Sequence, residues 1–131
     1  MIALGYSLFS SRKVLCLDGD GSMLMHLGAL FTLGQNSKNN LKYILLNNNT
    51  HESVGSQKTY LDNINLKQII SAFKFDNYYL IKNKKELKKK LNDFLKSKKR
   101  SFLEVKMSNS NKNEILGRPK NFIDIKNRFM K

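Results

Sequence analysis

Asp20 and Asn48 offer an acid and an amide oxygen, each placed just beyond a short apolar run. The first run, residues 14–17, leads into Asp18, Gly19, Asp20, Gly21 and Ser22. The second, residues 43–46, leads into Asn47, Asn48, Asn49 and Thr50. If the two runs are neighbouring strands of a parallel sheet, they end on the same edge and bring those oxygens together. A carboxylate, an amide oxygen and a main-chain carbonyl suit a hard cation such as Mg²⁺, which keeps several sites for phosphate and water. The glycines flanking Asp20 allow a sharp turn and a close approach of backbone to ligand. Ser22 reads as the N-cap of a following helix, whose first N–H groups favour an anion such as phosphate. A Mg²⁺ ion bridging to a diphosphate is the chemistry these residues point to. A Gly-Asp-Gly turn alone is common. Followed by a helix, a strand and an Asn pair, it is far more specific.

The elements that must position these residues alternate along the chain. Residues 1–9 read as the end of a helix, 14–17 as a strand and 23–33 as a helix with Leu24, Leu27, Gly28 and Phe31 on one side. Residues 43–46 read as a second strand and 48–63 as a polar loop. Leu66, Ile69, Ile70 and Phe73 recur at helical spacing across 65–73. Residues 78–81 form a third strand, 84–97 a helix and 102–107 a fourth strand. Short continuous apolar strands between helices indicate an α/β fold, a three-layer parallel sheet with helices on both faces. Residues 1–107 make one domain and 108–131 a C-terminal tail, where Gly117 and Pro119 predict a turn.

Composition bounds the class. The chain has 131 residues, 40% hydrophobic, enough for one small domain. No apolar run reaches membrane-spanning length, and no basic residue precedes the apolar N-terminus as in a signal peptide. Cys16 lies in an apolar run and reads as a buried thiol of a cytoplasmic protein. The net charge of +14 raises a nucleic-acid reading, but Lys greatly outnumbers Arg and no recognition motif accompanies the charge. In residues 82–100, Leu87, Leu91, Phe94 and Leu95 form a stripe and the lysines fall mostly off it. That is a solvated helix face.

Together, the Gly-Asp-Gly segment with His-Leu-Gly-Ala-Leu after it, the stretch NNNTHESVGSQKT and the later ILGRPK resemble the phosphonopyruvate decarboxylases. These are thiamine diphosphate-dependent 2-oxo-acid decarboxylases. The related sulfopyruvate decarboxylases share the Gly-Asp-Gly segment. His51-Glu52-Ser53-Val54-Gly55, with Gln57 and Thr59, fits the phosphonopyruvate enzymes better. The resemblance implies thiamine diphosphate and Mg²⁺ as cofactors. It implies metal ligation by Asp20, the Asn48 side chain and the Thr50 main-chain carbonyl, with Gly19, Gly21 and Ser22 around the diphosphate. Asn49 stands where many relatives have glycine, and it becomes the ligand if the register slips by one. His51 is the candidate catalytic residue lining a substrate cavity, with Glu52 as a second candidate for that wall. His26 reads as a packing residue and Arg118 as closing a C-terminal turn.

The activity implied is conversion of phosphonopyruvate to phosphonoacetaldehyde and carbon dioxide, with sulfopyruvate or another 2-oxo acid, or a non-catalytic remnant, as alternatives. Such enzymes also need a pyrimidine-binding domain, which supplies an activating glutamate across a subunit interface. Nothing in these residues resembles that domain. The expected partner is therefore a pyrimidine-binding domain or subunit in a homo- or hetero-oligomer. The expected fold is a thiamine diphosphate-binding domain truncated at its N-terminus, inactive by itself.

Overall fold

The computed structural model describes residues 1–108 and 121–130. The described strands are β1 (Val14–Gly19), β2 (Leu41–Asn47), β3 (Thr50–His51), β4 (Gln57–Lys58), β5 (Asn77–Ile81) and β6 (Ser101–Lys106). The helices are α1 (Ile2–Phe9), α2 (Asp20–Met25), α3 (Leu27–Asn36), α4 (Leu66–Ala72), α5 (Lys84–Lys96) and α6 (Phe122–Phe129). Strands β1, β2, β6 and β5 lie side by side in that order, all parallel. The short β3 and β4 form a separate antiparallel hairpin.

Burial explains why these segments become strands. β2 lies between two neighbours, and six of its seven residues are buried, as a continuous apolar run in a covered parallel sheet should be. On one face, Leu4, Met23, Leu30, Leu33, Leu66 and Ile70 from α1–α4 pack over Val14, Leu41, Tyr43, Leu45 and Phe102. On the other, α5 sets Phe94, Leu91 and Leu95 against Ile44, Ile81 and Leu103. This second layer does not reach β1. Leu15 and Leu17, which alternate onto that face, are 50% and 66% exposed.

The sheet and both helical layers match the expected fold, with boundaries shifted by one to three residues. Four local expectations need correction. The helix expected over 23–33 begins at Asp20 and breaks at His26, whose φ of −124° and ψ of 36° leave the helical region. The break resets the helical phase. Met23, Leu30, Leu33 and Gly34 are buried, while Gly28 and Phe31 are exposed. His26 is exposed rather than packed, with Nδ1 3.3 Å from the Ser22 carbonyl oxygen. The loop 48–63 carries the β3–β4 hairpin and two short 3-10 turns. Cys16 is a free thiol only partly buried, because β1 is an edge strand. Burial, then the nearby Asp18 carboxylate, raises its pKa.

The tail contributes α6, capped by the Asn121 side chain. The expected turn at Gly117 and Pro119, and Arg118, lie outside the described residues. Among the described residues no helix is long and apolar enough to cross a membrane.

Candidate functional site

The register of the sheet builds the site. Gly19 at the end of β1 sits beside Leu46, so Asp20 and Asn48 leave the same edge one and two residues later. Met107 N–H donates to the Asn47 carbonyl oxygen at 2.8 Å, which carries β6 along the same edge. The result is a cleft of about 360 Å³ lined by Gly19, Asp20, Gly21, Ser22, Asn48 and Thr50, with His51, Glu52 and Met107 completing its wall. All seven residues proposed from sequence for catalysis, cofactor or metal line this one cleft. Asn49 does not appear in the lining. Its side-chain oxygen instead accepts from Thr59 Oγ1 at 3.2 Å.

Asp20 is 2% exposed and opens α2 directly after the extended Gly19. Its Oδ2 accepts a 2.6 Å hydrogen bond from Thr59 Oγ1. No Lys or Arg among the described residues forms an ion pair with it. A carboxylate this buried is costly without a charge-compensating partner, and a cation would supply one. The sequence expectation of Ser22 as the N-cap is corrected: Gly19 holds that position, and Ser22 lies within the first turn. At six residues, α2 contributes little dipole, so an anion here would depend on the local N–H groups.

Of the two glycines, only Gly21 is sterically required by its neighbours. Neither has a positive φ. A Cβ on Gly19 would meet nothing within 4 Å, on a backbone that faces the cleft. A Cβ on Gly21 would fall 2.2 Å from His51 Cγ and 2.6 Å from His51 Cβ. Gly21 is therefore what lets the β3–β4 hairpin close over α2.

The Asn turn is held by its own side chains. Asn49 N–H donates to Asn47 Oδ1 at 2.9 Å, and Thr50 N–H to Asn48 Oδ1 at 3.1 Å. Asn49 takes a left-handed φ of 58°, which Asn tolerates better than most residues. Asn48 Nδ2 donates to Glu52 Oε1 at 2.8 Å, so Glu52, itself in the cleft wall, holds the Asn48 amide.

Beneath the edge, side chains on the α1–α4 face stack in layers. Tyr43, Phe102 and Tyr78 occupy paired positions on β2, β6 and β5, with neighbouring rings stacked at 5.1 and 5.9 Å. One layer higher, the Tyr43 hydroxyl donates to Asp18 Oδ2 at 2.5 Å and the Tyr78 hydroxyl donates to Glu104. Burial, then these bonds to carboxylates, raises both phenol pKa values well above the ordinary range. Asp18 Oδ1 accepts from Gly19 N–H at 2.9 Å, and Glu104 Oε1 accepts from Asn47 Nδ2 at 2.7 Å. Each turn of the cleft thus rests on a tyrosine-supported carboxylate. Thr59, Asn47 and Glu104 were missed as site residues from sequence. A charge inside the apolar strand Ser101–Lys106 was the available signal for Glu104.

The donor chemistry fits Mg²⁺. One carboxylate, one amide oxygen and a main-chain carbonyl supply hard oxygens, leaving sites for phosphate and water. No cluster of three or more His, Cys, Asp or Glu among the described residues offers a softer or more acidic cage.

Comparisons with known proteins converge on one group. A family model described as "Thiamine pyrophosphate enzyme, C-terminal TPP binding domain" matches residues 2–105. The chain is 44% identical over 75 residues to sulfopyruvate decarboxylase subunit beta of Methanothermobacter thermautotrophicus, covering 57% of this chain and 40% of that one. It is 39% identical over 71 residues to phosphonopyruvate decarboxylase of Streptomyces viridochromogenes, covering 54% of this chain and 18% of that one. It is 33% identical over 113 residues to sulfopyruvate decarboxylase of Methanosarcina acetivorans, covering 86% and 29%. The chain therefore spans less than half the length of each of these relatives. Among solved structures, a chain from Mycobacterium smegmatis assigned as a thiamin diphosphate-dependent enzyme superimposes with a TM-score of 0.62. Its 21% identity, over 82% of this chain and 21% of that chain, speaks to fold alone.

Proposed function

The chain belongs to the thiamine pyrophosphate enzymes as a C-terminal TPP-binding domain, and from that premise we propose that it anchors the cofactor's diphosphate through Mg²⁺ for decarboxylation of a 2-oxo acid. The carrying observation is the single cleft that gathers Asp20, Asn48 and Thr50 beside the first turn of α2. In this reading, Asp20, the Asn48 side-chain oxygen and the Thr50 carbonyl hold Mg²⁺. Gly19, Gly21 and Ser22 surround the diphosphate, with the open side of Gly19 admitting it.

Thiamine diphosphate, when bound, supplies the electron sink for loss of carbon dioxide from a 2-oxo acid. This chain's residues hold its charged tail and set its direction. In this reading His51, which lies against Gly21 in the cleft wall, is the group that moves a proton near the substrate. The activating group for the pyrimidine end is assigned to a partner domain or subunit, consistent with relatives named as beta subunits.

The proposed substrate is phosphonopyruvate, supported by His51-Glu52-Ser53-Val54-Gly55 and the named Streptomyces relative. Sulfopyruvate is the second reading, supported by the higher identity to the Methanothermobacter beta subunit. The two differ only in the anionic group carried by the substrate.

The test is Mn²⁺ binding, read by electron paramagnetic resonance with and without thiamine diphosphate. Saturable binding that tightens with the diphosphate is expected. Asp20→Asn should weaken it by about a hundredfold, because the only carboxylate ligand is lost. Equal binding by wild type and variant would discard the site. The isolated chain should release no carbon dioxide from phosphonopyruvate or sulfopyruvate; turnover by the chain alone would remove the need for a partner.

A further inference from the structure

Glu104 is 3% exposed, a charged residue within the apolar strand β6. Both its oxygens are used. Oε1 accepts from Asn47 Nδ2 at 2.7 Å and lies 2.9 Å from Lys106 Nζ. Oε2 accepts from the Tyr78 hydroxyl. Lys106 also pairs with Asp62. The donors come from β2, β6 and β5, so the carboxylate is tied across three strands. Asn47, 1% exposed, passes that constraint on, since its Oδ1 receives the Asn49 N–H at 2.9 Å. Asn49 is the left-handed residue that turns the chain between Asn48 and Thr50.

Stability alone does not explain this arrangement. Replacing a buried ionic group by apolar side chains of similar volume is often neutral or stabilising. What the charged arrangement adds is direction. Glu104 fixes which end of the Asn47 amide faces the sheet, and hence that its oxygen faces the Asn49 N–H. Without that anchor, the amide is free to turn over and present a donor to a donor.

We propose that Glu104 is a positioning residue for the cation site, acting through Asn47 to hold the Asn48–Thr50 turn in ligating geometry. The proposal rests on the reading of the cleft as a Mg²⁺ and diphosphate site. Groups behind metal ligands commonly govern affinity in this way. Glu104 itself does not line the cleft.

The decisive variants exchange polarity across the pair. Asn47→Asp sets a carboxylate against Glu104, and Asn47→Asp with Glu104→Gln restores a donor facing an acceptor at unchanged total charge. An extra negative charge beside the ligands would, by itself, strengthen cation binding. Positioning predicts the opposite. In Asn47→Asp, Mn²⁺ affinity measured with thiamine diphosphate should fall by about 10- to 100-fold. The metal-free amide of Asn49 should also exchange faster with solvent. The double variant should recover both. Should Asn47→Asp fail to fold, Tyr78→Phe tests the same chain more mildly, with an expected loss of about threefold.

Unchanged or tighter Mn²⁺ binding in folded Asn47→Asp overturns the proposal. So does a double variant that recovers the melting temperature but not the affinity, because the pair would then be structural only. Absence of Mn²⁺ binding in the wild-type chain overturns the site reading itself, and the positioning role with it. Intact wild-type binding with indifferent variants overturns the positioning role alone.

Discussion

At the scale of single residues, the cleft is decided by contacts that motif spacing does not describe. The Gly-Asp-Gly segment implies freedom to turn, yet neither glycine uses a positive φ. Gly21 is needed because the His51 side chain occupies the space its Cβ would fill. Gly21→Ala should push the β3–β4 hairpin away from α2, lowering stability by about 1–3 kcal/mol in chemical denaturation. It should also weaken Mn²⁺ binding, since Thr50 belongs to that hairpin. An alanine variant with unchanged stability and affinity would show that the hairpin moves without cost. Thr59 illustrates the same point: its place in the sequence gives no hint that its hydroxyl bridges Asp20 and Asn49.

At the scale of elements, helix ends follow local chemistry closely. Asn65 and Asn83 cap α4 and α5 by accepting the N–H groups of Gln68 and Glu86. Glu86 in turn accepts from the Lys82 N–H at 3.2 Å and pairs with Lys90 at 3.0 Å. Its pKa is lowered, first by the Lys90 hydrogen bond and then by Lys82. A carboxyl group lowered in the folded state contributes stability above its ordinary value of 4.5, and that contribution is lost as pH falls through the lowered value. Carbon-13 titration of the Glu86 carboxyl should therefore show a midpoint below 4.5 that moves upward in Lys90→Met. The same midpoint in both proteins would assign the shift elsewhere. α2 and α3 show where local reading fails. The break at His26 carries no proline or glycine, and the packing of Met23 and Leu30 on the sheet sets the phase on either side.

At the scale of the whole molecule, the two faces of the sheet are unequally covered. The α5 face has a small core, with Phe94 fully buried among Ile44, Ile81 and Leu103. Leu17 on β1 shares that face but is 66% exposed. Phe94→Ala should cost about 3–5 kcal/mol in denaturant unfolding, whereas Leu17→Ala should stay within about 0.5 kcal/mol. Comparable losses would mean that β1 is covered in solution. The sequence by itself determined the alternation of strands and helices, the parallel sheet, and the convergence of Asp20 and Asn48 on one edge. These follow from apolar periodicity and from the rule that parallel strands end together, both local or topological properties. Only the tertiary structure decided that Asn48 rather than Asn49 lines the cleft, that Gly21 leaves room for the His51 side chain, and that Glu104 accepts a hydrogen bond from Asn47. Those outcomes depend on which side chains meet across strands far apart in the chain. Hydrogen-bond partners 57 residues apart, such as Asn47 and Glu104, leave no periodic trace.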